Sequence, residues 1–276
     1  MGNSSSVSSF IDDYGQGRSA APTMSSVFPT HLANPRHSPT KLQIHKGVRY
    51  IVAMPDDRSP TRRRADEYVI VDDTATTPLT DNAVLFFHGN CTTVDQSSYN
   101  MAQTFATHLK KDVYIFEYPG YGESVNDGPA TPQSTSSAGK VIFDMLTTQY
   151  GTQNVDIMAH SIGTGVAIRT LVFGATPRKL VLISPLASTT SVVTWDIPLF
   201  NAFDNLRLAK NIICPVCVIH GDADEVINMV HAGKLYSNLL DIPKELHIIP
   251  GAGHNDIFTT ETMNIIRDFL VVYVHR

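Results

Sequence analysis

The sequence predicts an α/β fold: a mostly parallel central sheet with helices on both faces. Three observations carry this. Short runs such as Ala83–Phe87 are apolar throughout rather than alternating, which suits strands buried on both sides. Such runs recur with helix-length stretches between them, and strands alternating with helices imply a parallel sheet. Several runs end in loops that carry Ser161, Asp222, Asp224 or His254, and open α/β sheets bind ligands beyond their strand ends.

The elements follow in order. Residues 1–40 are rich in Ser, Pro, Gly and Asn, with too little apolar surface to offset the entropy of ordering. They are expected to form a disordered tail ahead of one domain over 41–276. Runs 48–52 and 68–71 read as strands joined by a charged loop, 56–64, that contains Arg62, Arg63 and Arg64. Runs 83–87, 113–116, 155–158, 180–183, 216–219 and 246–249 read as the parallel strands, with helices over about 134–149 and 229–239. The small residues Thr164 to Ile168 suit a helix directly after the run at 155–158. Residues 185–205 hold apolar side chains without periodicity and are too few for a folded cap domain, so they read as a short lid. The apolar residues 269–274 read as the end of a packed helix.

Composition narrows the function. A formal net charge of -5 lacks the basic footprint of a nucleic-acid binder, so no such partner is expected. Cys91, Cys214 and Cys217 are too few for a disulfide framework and fit a reducing, cytoplasmic setting. No stretch approaches the roughly 20 apolar residues of a membrane span, and the N-terminus lacks the build of a secretory signal.

The chemistry centres on Ser161. The sequence Ala159-His160-Ser161-Ile162-Gly163 joins a strand to a helix through small residues, the setting of a nucleophile elbow. Ala159 stands where that pattern usually has Gly. A serine hydroxyl needs a base to take its proton, and His254, in the glycine-rich loop 251–254, is the expected base. A carboxylate behind the imidazole would hold its tautomer; Asp224 is favoured over Asp222 and Glu225 in the loop after 216–219. The expected oxyanion donors are the backbone amides of Ile162 and of Asn90, the latter after His88-Gly89. Trp195, Leu199 and Phe200 in the lid are the expected wall for an acyl chain.

No metal or cofactor is expected. The spacing Cys214-Pro215-Val216-Cys217 enters a strand instead of opening a helix, so both cysteines read as core. The glycines in Tyr118-Pro119-Gly120-Tyr121-Gly122 lack the lysine of a phosphate loop.

Taken together, FFHGN, EYPGYGES, HSIGTG, ISPLAS, VIHGDADEVI and GAGHNDI resemble the α/β-hydrolase superfamily. Within it they look like the eukaryotic membrane-associated α/β-hydrolase-domain proteins that remove palmitate from cysteines. The resemblance covers about 84–270 and implies a Ser161, Asp224 and His254 triad acting on an acyl ester or thioester, with an acylated protein as partner. Those depalmitoylases carry an N-terminal cysteine cluster, whereas this chain has no cysteine before Cys91. It has instead Met1-Gly2-Asn3-Ser4-Ser5-Ser6, which fits myristoylation of Gly2. A single such chain gives only weak, reversible membrane contact.

Overall fold

The computed structural model describes residues 42–55, 80–90, 92–188 and 203–271. The 1–40 tail with Gly2, the charged loop 56–64, the run 68–71 and the lid residues Trp195, Leu199 and Phe200 lie outside the described residues.

Eight strands form one sheet in the order β1-β2-β4-β3-β5-β6-β7-β8. They are β1 (Gln43–His45), β2 (Val48–Ala53), β3 (Ala83–Phe87), β4 (Asp112–Phe116), β5 (Val155–His160), β6 (Leu180–Ile183), β7 (Val216–Gly221) and β8 (Lys244–Ile249). The pairs β1–β2 and β2–β4 are antiparallel, and every other pairing is parallel. Strands β3 to β7 are buried along their whole length, as their predominantly apolar runs require. The edge strand β8 is largely exposed or half-buried, with Ile249 at its end buried. The short β1, with no apolar run of its own, was not legible in the sequence.

Alternate side chains of each strand feed two apolar layers. Leu85, Phe87, Ile157, Ala159, Leu182 and Val218 pack beneath α2 (Pro132–Tyr150), α3 (Ile162–Val172), the short α4 (Asn205–Ala209) and α5 (Val230–Asn238). Val84, Phe86, Met158, Val181, Ile183 and Ile219 pack beneath α1 (Gln96–Leu109) and α6 (Thr260–Val271) on the other face. Helix α2 starts two residues before the expected position because Thr131 caps it and Pro132 occupies its first turn, where no N–H is needed. Helix α1 is rich in Ser, Gln, Asn and Thr, so its apolar stripe is thin. Asp95 starts it with a capping box to Ser98.

Strand β3 runs on to β4 on one side and has β5 on the other, so the chain changes direction across the sheet at β3. The crevice beyond the ends of β3 and β5 is therefore where the fold exposes loop residues to a ligand.

Candidate active site

Ser161 stands at the turn from β5 into α3 with φ 56° and ψ -128°, a backbone conformation that side-chain-bearing residues rarely adopt. The turn is this tight because α3 presses on the end of β3. A Cβ at Gly163 would lie 2.3 Å from the Phe87 carbonyl oxygen and 2.6 Å from that of His88, so glycine alone fits. Ala159 sits fully buried in the apolar layer, which accommodates the methyl that departs from the usual pattern.

Strand β7 ends at Gly221, where a Cβ would meet the Ala252 carbonyl oxygen at 2.0 Å. That close approach joins the acid loop to the histidine loop. Asp224 then receives its bonds from several directions. Its Oδ1 accepts the amides of Val226 (2.9 Å) and Ile227 (2.7 Å), and its Oδ2 accepts from His254 Nδ1 at 2.8 Å. His254 Nε2 lies 2.9 Å from Ser161 Oγ, which completes one hydrogen-bonded chain of the three residues. Asp222 instead accepts the Gly251 amide at 2.6 Å, and Glu225 is exposed; of the three acids, Asp224 meets the imidazole. Burial by itself opposes ionisation of Asp224. Donation by His220 and His254 outweighs it and holds the carboxyl well below its ordinary range.

The loop after β3 lies against the serine: a Cβ at Gly89 would fall 3.5 Å from Ser161 Cβ. Asn90 follows, half-buried, and the amide of Ile162 opens α3, where no preceding turn supplies a carbonyl. Three bonds from the segment after β4 hold this loop. Tyr118 donates to the His88 carbonyl at 2.9 Å, Tyr121 donates to Asn90 Oδ1 at 2.6 Å, and Glu117 accepts the Val94 amide at 3.0 Å. Burial pushes the Glu117 carboxyl up to about 8, against the pull of the Val94 bond. Burial also holds His88 down to about 4 and His160 down to about 3, so both imidazoles around the serine stay neutral.

Sequence reasoning missed the roles of Glu117, Tyr118, Tyr121, His160 and His220. Each lies in a quoted motif, but the partners are 23 to 94 residues away for four of them. His160 Nε2 donates to the His254 carbonyl (3.1 Å), and His220 touches Asp224 from the core side.

Among the described residues, Cys217, Glu245 and His247 bring three possible metal-ligand atoms within 4.8 Å of one another. They sit near the starts of β7 and β8, at the end of the sheet opposite Ser161. Cys217 is part of the apolar layer, and His247 already pairs with Glu245 at 3.0 Å. No helix among the described residues is long and apolar enough to cross a membrane.

Comparison with known proteins agrees with this architecture. Residues 84–209 match the alpha/beta hydrolase family. The chain is 31% identical over 197 residues to the alpha/beta hydrolase L404 of Acanthamoeba polyphaga mimivirus, covering 70% of this chain and 74% of that one. It is 32% identical over 186 residues to alpha/beta hydrolase domain-containing protein 17B of Homo sapiens, covering 65% of this chain and 62% of the human one. Est1E of Butyrivibrio proteoclasticus, solved with ferulic acid bound, shares the fold with a TM-score of 0.58 at 12% identity, over 84% of this chain and 98% of that one. With its sheet order, its helical layers and a relative matched over most of both lengths, the chain belongs to the α/β-hydrolase family.

Proposed function

We propose that the protein is a serine esterase or thioesterase that cleaves acyl substrates through a covalent acyl-enzyme. The observation that carries this is the chain Ser161 Oγ, His254, Asp224, with a bond of 2.9 Å on one side of the imidazole and 2.8 Å on the other. His254 Nε2 takes the proton as Ser161 Oγ attacks the carbonyl carbon, and Asp224 holds the other nitrogen protonated and stabilises the imidazolium. The amides of Ile162 and Asn90 receive the oxyanion, each worth about 10²- to 10³-fold in rate. His254 returns the proton to the departing thiol or alcohol. Water then attacks the acyl-serine with His254 again as base.

The resemblance of the loop motifs to protein depalmitoylases supports an acylated protein as substrate, with Trp195, Leu199 and Phe200 forming the acyl wall. A myristoyl group on Gly2 would add weak, reversible contact with a membrane surface. A fluorophosphonate probe tests the core of the reading: it labels the wild type and leaves Ser161→Ala unlabelled. Equal labelling of the two removes Ser161 from the mechanism. A series of acyl thioesters, esters and peptides then separates substrate classes, and faster cleavage of peptides than of any acyl ester would rule out the acyl reading.

A further inference from the structure

His220 is fully buried at the end of β7, four positions before Asp224. Its Nε2 lies 2.7 Å from the Ile227 carbonyl oxygen and 3.3 Å from Asp224 Oδ2. Both are acceptors, so Nε2 carries the proton and is shared between them. Nδ1 is buried and has no hydrogen-bond partner among the described residues. A proton there would be a buried, unpaired donor, which fixes the ring as the neutral Nε2–H tautomer. Asp224 Oδ2 thus accepts from two imidazoles, His254 on the solvent side and His220 on the core side.

We propose that His220 is a positioning residue for the acid of the triad: its Nε2–H ties Asp224 Oδ2 to the backbone of the same loop and shares the negative charge that His254 sees. This rests on the serine-hydrolase reading given above. The geometry explains why one loop can serve. Asp224 Oδ1 is held by the amides of Val226 and Ile227, which fixes one carboxylate oxygen. The carbonyl of that same Ile227 accepts the His220 Nε2–H bond, so the ring locks the loop from inside while bonding the second oxygen. The carboxylate cannot rotate away from His254 without breaking bonds on both oxygens. Charge sharing has a separate effect. Without His220, Oδ2 would present more charge to His254 and favour its protonated form, which is useless as a base. Among the described residues, His160 from the end of β5 also faces this cluster, its ring centroid 5.0 Å from that of His254, and stays neutral, while Asp222 and Asp256 accept the amides of Gly251 and Gly253 in the histidine loop.

The test compares His220→Gln, whose side-chain amide reaches as Nε2 does, with His220→Met, which fills the space and donates nothing. The readout is the rate of fluorophosphonate labelling of Ser161 from pH 4.5 to 9, which needs no identified substrate. His220→Met is expected to label roughly 10- to 100-fold more slowly. Its acid limb should move up by about one pH unit. His220→Gln should stay within about threefold of the wild type, with its acid limb nearly in place. A Met variant that matches the wild type in both rate and limb overturns the proposal. So does a Gln variant as impaired as Met at equal thermal stability, because the role would then be packing. Two measurements on the unmodified protein stand if a variant does not fold or if no labelling occurs. Nitrogen-15 NMR reads the His220 tautomer directly, and a proton on Nδ1 overturns the proposal. Failure of the wild type to label removes the hydrolase reading alone, since the tautomer and the low-field proton between His254 and Asp224 remain measurable.

Discussion

Asp224 accepts bonds from Val226, Ile227, His220 and His254, while Asp222, two positions earlier, accepts the amide of Gly251. The two acids therefore predict different losses. Asp224→Asn should lower the rate by about 10³- to 10⁴-fold with the fold intact, because an amide favours the wrong imidazole tautomer. Asp222→Asn should keep most of the activity and cost about 1 kcal/mol of stability, measured by denaturant titration. Glu117 makes a separate prediction. Its folded carboxyl is raised to about 8, above the unfolded value. The folded state therefore holds a proton that the unfolded state has lost. The stability it contributes is present in full below the unfolded value and is lost as pH rises towards 8. Because His88 and His160, held neutral, add stability as pH rises to about 6.5, the Glu117 effect is read as a difference: from pH 6.5 to 8 the wild type should lose melting temperature relative to Glu117→Gln, which keeps an acceptor for the Val94 amide. At this scale the sequence made the serine and histidine legible, because each stands in a local pattern of small residues. It favoured Asp224 over Asp222 and Glu225 without a local pattern to decide, because the deciding contact joins residues 30 apart in the chain.

At the scale of elements, the site depends on backbones that touch. Gly163 and Gly221 stand where a Cβ would fall 2.3 Å from Phe87 O and 2.0 Å from Ala252 O. Gly163→Ala should destabilise the protein by about 1–3 kcal/mol, since both sides of the contact are main chain and cannot rotate away. Because the shift falls at the first turn of α3, probe labelling should drop with it. Thermal denaturation and labelling on the same sample check both effects. Apart from β1, the described strands were legible as mainly apolar runs, and the structure extends most of them by one or two residues. Helix α1 was not, since its buried face consists largely of Ser98, Ala102, Phe105 and Ala106. Its start was written in the Asp95 and Ser98 cap, a signal that depends on knowing a helix follows.

For the whole molecule, the end of the sheet opposite Ser161 carries a buried charged cluster. Asp156, fully buried, pairs with Arg178 at 2.6 Å and with Lys111 at 3.4 Å. Arg178 also donates to the Leu270 carbonyl at 2.8 Å, and Lys179 donates to that of Phe269. These cations cap the carbonyls at the end of α6, so the far end of the chain is tied to the start of β5 and β6. Asp156→Asn should cost about 3–5 kcal/mol by leaving buried cations without their partner. The refolded fraction should still label at the wild-type rate, because the clasp is distant from the serine. An aspartate inside the apolar run at 155–158 was visible in the sequence. Its meaning was not, because Arg178 lies 22 residues on.

The backbone of Ser161 has a consequence for heat resistance. A residue with a Cβ held at φ 56° and ψ -128° stores about 1–3 kcal/mol of strain in the resting protein. Glycine relieves that strain, at a smaller cost of about 0.4–1 kcal/mol from a more mobile unfolded chain. Ser161→Gly should therefore melt at a higher temperature than Ser161→Ala, although neither has a hydroxyl. The gap between the two inactive proteins measures, without substrate or probe, how much robustness the fold gives up to hold its serine ready.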